Sequence, residues 1–98
     1  MLLIAGEFRV TPEKRDAFAD LAREVGRHSR EEEGCLFFEF WSDLDGSGRF
    51  GLFEGWESPD ALLAHREMPH VAVFREATAR LGIESAEITR YQATEIEV

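Results

Sequence analysis

Two residue types sit close together where a strand feeds a helix, and together they could do proton chemistry. Phe50-Gly51-Leu52-Phe53-Glu54-Gly55-Trp56 reads as an aromatic strand, and the helix opened by Ser58-Pro59 carries His65 on its second turn. Histidine titrates near neutrality, so His65 could take a proton from a phenolic or enolic substrate at physiological pH. Its other reading is a ring at the rim of the fold, partly covered, with one nitrogen in water. Trp56 can bury as core and also wall an aromatic-binding pocket, since the two roles are compatible. His70 follows Pro69 at a helix start, where a surface position and a place beside the pocket are both open. Tyr91 reads as packing on the last strand.

Other chemistries find less support. His65 and His70 are five apart and separated by Pro69, so they are not the i, i+4 pair that shares a helix face, and no metal is expected. Cys35 has no basic neighbour in sequence to lower its pKa and reads as a buried apolar group. Gly46 and Gly48 lie in a turn between strands, not between a strand and a helix, and no Gly-Lys-Ser/Thr follows. The run Glu31-Glu32-Glu33 reads as a solvated helix end.

The elements that must position these residues follow from periodicity. Leu2 to Val10 reads as a strand. Thr11-Pro12-Glu13 has the cap, proline and acid of a helix start, and Phe18, Leu21, Ala22 and Val25 continue it as one apolar stripe. Gly34 is expected to end that helix. Cys35 to Trp41 is a second strand, with Leu36, Phe38 and Phe40 on one face and Cys35, Phe37 and Trp41 on the other. Ser42 to Gly48 is turn chemistry, and Arg49 to Trp56 completes a hairpin. Ser58 caps a helix to about Glu67, with Pro59 at its first position. Met68-Pro69 interrupts it. His70 to Leu81 resumes, with Val71 and Phe74 on its stripe, and Gly82 closes it. Glu84 to Ala93 is the last strand, which residues 94–98 can extend.

The order β-α-β-β-α-β is that of a ferredoxin-like α+β sandwich, with helices on one face of a four-stranded antiparallel sheet. Residues 1–98 read as a single domain. Phe and Trp fall on both faces of the second and third strands, so a second copy is expected to cover the open face as a homodimer. The net charge of −9, from 20 acids and 11 bases, disfavours nucleic acid and anionic membrane surfaces. The first residues lack a basic segment, no apolar run reaches the roughly 20 residues that span a bilayer, and a single cysteine excludes an intrachain disulfide. A cytoplasmic protein is expected.

Glu32-Glu33-Gly34-Cys35, Phe38-Glu39, Trp56-Glu57-Ser58, Ala64-His65 and Pro69-His70 followed by Phe74 occur in an order and spacing that resemble the antibiotic biosynthesis monooxygenase family, its quinol monooxygenase-like members most. The likeness runs from Leu3 to about Ala79. It implies a dimer whose sheets pack together as an α/β barrel, with a pocket between sheet and helices. It also implies oxidation of a hydroquinone or related electron-rich aromatic by O₂ without metal, flavin or haem. By position His65 would be the base, Trp56 a wall, and His70, Phe74 and Phe38 substrate neighbours. Haem-degrading members carry Asn, Trp and His where this chain has Phe8, His65 and Arg75, so haem is not expected. Isomerase-like members also exist, and a dimer that binds a small molecule without turnover would use the same pocket.

Overall fold

A computed structural model describes residues Met1–Val98. Strand β1 (Leu2–Arg9) leads through a short 3₁₀ turn, Pro12–Lys14, into helix α1 (Arg15–Ser29). Strands β2 (Cys35–Ser42) and β3 (Arg49–Trp56) form a hairpin, helices α2 (Pro59–Arg66) and α3 (Pro69–Leu81) follow, and β4 (Ser85–Gln92) ends the fold. The sheet order is β2-β3-β1-β4 with every pairing antiparallel, the α+β ferredoxin-like arrangement the sequence predicts. One chain's sheet does not close into a barrel: β2 and β4 are open edges. No helix is long and apolar enough to cross a membrane.

Strand alternation decides what faces the helices. Phe50, Leu52, Glu54 and Trp56 of β3 point the same way, and their register partners Ile4 and Phe8 of β1 join them. Phe18 from α1 is wholly buried against this face, 4.7 Å from the Phe50 ring and 5.4 Å from that of Phe8. The opposite face carries no helix and exposes Phe53 at 41%, Tyr91 at 52% and Trp41 at 65%.

The local chemistry at helix ends matches expectation in α2 and α3. The Ser58 side chain accepts from the Ala61 N–H at 3.2 Å, and Gly82 caps α3 at φ 78°. Four expectations need correction. Thr11 makes no side-chain cap bond, and the chain passes through the 3₁₀ turn before α1 begins. Helix α1 stops at Ser29, not Gly34, because the chain must turn back toward α2 to start β2. A bulge between Cys35 and Phe37 sets Cys35 opposite Trp56, so Cys35 lies on the helix-covered face and Leu36 is 47% exposed. Residues 94–98 add no strand.

Gly34 serves the turn rather than the helix. It sits at φ 84°, and a Cβ there would lie 2.6 Å from Ala61 Cβ. This close approach brings the 30–34 turn against α2, and the Glu57 N–H donates to Gly34 O at 2.9 Å.

Candidate active site

The turn that Gly34 packs against α2 carries Glu32 inward. Its side chain is only 6% exposed although it lies within an acidic run. Glu32 Oε2 accepts from His65 Nδ1 and from His70 Nε2, both at 2.7 Å. The break at Met68-Pro69 makes this possible. It ends α2 just beyond His65 and starts α3 just before His70, so two histidines that one helix would separate converge on one carboxylate.

A carboxylate accepts and does not donate, so the proton of neutral His65 sits on Nδ1. Its Nε2 then carries a lone pair and lies 4.0 Å from Glu54 Oε1. That is beyond direct hydrogen-bond range, yet a hydroxyl about 2.8 Å from each atom could bridge them. Burial holds the His65 pKa below the ordinary histidine value, although Glu32 pulls it upward, so the ring stays neutral at physiological pH. Glu54 is also enclosed, with a side chain 7% exposed, and burial pushes its pKa up to about 7 against the hydrogen bond it accepts from Trp56. Trp56 Nε1 donates to Glu54 Oε1 at 2.8 Å.

His65 and Glu54 line a cavity of about 190 Å³ between the sheet and α3. Phe8, Phe38, Phe40 and Leu52 form its sheet side, and Val71, Phe74 and Arg75 its helix side. A smaller space of about 120 Å³ adjoins it and shares Glu54, His65, Arg75 and Ile88.

The sequence-derived site residues divide accordingly. His65, Phe38 and Phe74 share the cavity. Trp56 is wholly buried behind it, 4.6 Å ring to ring from His65, and reaches the site through Glu54. His70 lies on the far side of Glu32 and stacks on His28 at 5.3 Å. Cys35 stays outside the cavity, and burial pushes its thiol up to about 11. Reading single residues missed Glu32 and Glu54. Glu54 had a visible signal, an acid at a core-facing position between Leu52 and Trp56. Glu32 had none apart from the family-like run that contains it.

Glu32, His65 and His70 offer ligand atoms within 4.8 Å of one another and could together hold a metal ion. The separations of 2.7 Å are hydrogen-bond distances that already satisfy these three groups mutually.

The fold is thus a ferredoxin-like sandwich in which His65, held by buried Glu32, faces an aromatic-lined cavity. Residues 1–77 match the family model described as antibiotic biosynthesis monooxygenase, and the chain belongs to that family. It is 31% identical over 96 residues to the uncharacterized protein sll1783 of Synechocystis, covering 98% of this chain and 65% of the relative. It is 30% identical over 74 residues to YcnE of Bacillus subtilis, a provisionally assigned monooxygenase, covering 76% of this chain and 78% of the relative. A crystal structure of a provisionally assigned antibiotic biosynthesis monooxygenase from Deinococcus radiodurans superposes with a TM-score of 0.92 at 26% identity, covering 100% of this chain and 97% of that one.

Proposed function

We propose that the protein is a cofactor-independent monooxygenase that oxidises a single-ring hydroquinone or related electron-rich aromatic with O₂. The observation that carries this reading is the placement of His65, held through Nδ1 against Glu32 at 2.7 Å with Nε2 4.0 Å from Glu54, beside an aromatic cavity. A cavity of about 150 Å³ accepts benzene, so the 190 Å³ here suits one substituted ring.

His65 Nε2 takes the proton of a ring hydroxyl, and the resulting anion is electron-rich enough to pass an electron to O₂. The two radicals combine in a carbon–oxygen bond, and cleavage of the O–O bond releases water. A hydroquinone and O₂ thus give a hydroxyquinone and water, with every electron drawn from the substrate. The protein's part is to exclude water, orient the ring between Phe38 and Phe74, and favour the anion. Mass spectrometry after turnover under ¹⁸O₂ tests the reading: one labelled atom is expected in the product, and unlabelled product contradicts it.

Glu54 supports a second reading. With its carboxyl near 7, the cavity holds an acid beside the His65 base, the pairing a proton-shuttling isomerase needs. Turnover of a hydroxy-ketone without O₂ would select it. Stoichiometric binding without turnover of either kind would leave a binding module.

We also propose a homodimer in which a second copy covers the open sheet face, where Phe37 stacks on Phe53 at 4.9 Å beside exposed Trp41. Light scattering is expected to give twice the 11.2 kDa of one chain, and a monomer mass contradicts it.

A further inference from the structure

The chain has 11 basic residues in a molecule of net charge −9. Arg9, Arg15, Arg23, Arg27, Arg49 and Arg80 each pair with an acid. Arg30 donates to Phe38 O, and Lys14 to Gly82 O. Only Arg66, Arg75 and Arg90 remain with neither a salt bridge nor a hydrogen bond from the side chain, and all three line the same 120 Å³ space. They come from separate elements, α2, α3 and β4. Their convergence is therefore a product of the fold and not of sequence spacing.

Three guanidiniums around one recess repel each other. The one acid lining it, Glu54, has its pKa pushed by burial up to about 7 and offsets that charge only in part, so a ligand anion would relieve the repulsion. The recess is not isolated. It shares His65, Glu54, Arg75 and Ile88 with the aromatic cavity, so one ligand can reach both spaces.

We infer that the recess formed by Arg66, Arg75 and Arg90 is an anion subsite, and that the substrate is an aromatic carrying a carboxylate or phosphate group. This rests on reading the His65 cavity as the substrate site. The ring lies among the Phe side chains, a ring hydroxyl meets His65, and the anionic substituent extends into the arginine recess. Guanidinium forks suit both carboxylate and phosphate oxygens. A strongly acidic protein repels anions elsewhere on its surface, so this recess also steers the ligand to the site.

Anaerobic binding titrations test the assignment without requiring turnover. The probes are two pairs, 2,5-dihydroxybenzoate against its neutral amide, and 4-hydroxyphenyl phosphate against hydroquinone. At low salt at least one anion is expected to bind about tenfold or more tightly than its neutral partner. That preference should shrink with added salt and approach unity in the Arg75→Gln/Arg90→Gln double variant. Both arginines are exposed, and neither side chain makes a salt bridge or hydrogen bond that the replacement would break. Preference for the phosphate alone or the carboxylate alone identifies the acidic group. Equal affinities within both pairs, or a preference that survives in the double variant, overturns the subsite. Anion preference without O₂ consumption would keep the subsite and remove the oxidation. O₂ consumption without anion preference would do the reverse.

Discussion

Glu32 Oε2 lies 2.7 Å from both His65 Nδ1 and His70 Nε2, so one carboxylate fixes two imidazoles contributed by different helices. This contact holds the His65 ring in one orientation. It fixes the ring's tautomer and directs the free lone pair toward Glu54.

Replacing that carboxylate should weaken the base. Both the hydrogen bond and the charge of Glu32 raise the proton affinity of His65. In Glu32→Gln the His65 pKa should fall further and kcat should drop about tenfold or more. Steady-state kinetics across pH read both effects. An unchanged rate and profile would remove Glu32 from the mechanism.

The wild-type pH profile has a defined sign. In the proposed mechanism His65 acts as the neutral ring, and burial lowers its pKa below the ordinary value of 6.5. The acid limb of activity should therefore have its midpoint below pH 6.5. An acid limb centred above 6.5, assigned to His65 by its loss in a His65 variant, would contradict the buried placement.

Glu54 makes stability depend on pH in the opposite sense to a paired carboxylate. Its folded pKa of about 7 lies above its ordinary value of 4.5, so the folded state holds the proton more tightly. Its contribution is fully present below 4.5 and is lost as pH rises through about 7. The stability of Glu54→Gln relative to wild type should accordingly improve across that window, by on the order of 2–3 kcal/mol. Chemical denaturation at pH 4.5 and pH 8 measures the change. A constant difference between the two proteins would contradict it.

Cys35 should be inert in the folded protein. Burial and the nearby Glu32 and Glu54 charges raise its thiol from 9.0 to about 11. At pH 8 a thiol reagent should react about 100-fold more slowly with native than with unfolded protein. Equal rates would place Cys35 in an accessible environment.

The fold was legible because its signals are local. Ser58-Pro59 opens α2 and Gly82 ends α3, as the sequence predicts. Alternation along β3 puts Glu54 on the core face between Leu52 and Trp56, where an acid is out of character, a signal that reading single residues did not use. The rest needed tertiary contacts. Nothing local distinguishes Glu32 from exposed Glu31 and Glu33, because its burial comes from a turn that packs on α2 at Gly34. His65 and His70 look divergent along a continuous helix and meet only because the chain breaks at Met68-Pro69. The bulge that reverses Cys35 and Leu36 is likewise a property of the pairing with β3.

The most direct test of the central claim is O₂ consumption by metal-stripped protein given a panel of hydroquinones, with His65→Ala and buffer run in parallel against autoxidation. Many turnovers per subunit are expected from the wild type, with the rate falling about 100-fold or more in His65→Ala. Uptake no faster than buffer across the panel, or equal uptake by the variant, would contradict His65 as the base of a cofactor-free oxygenase.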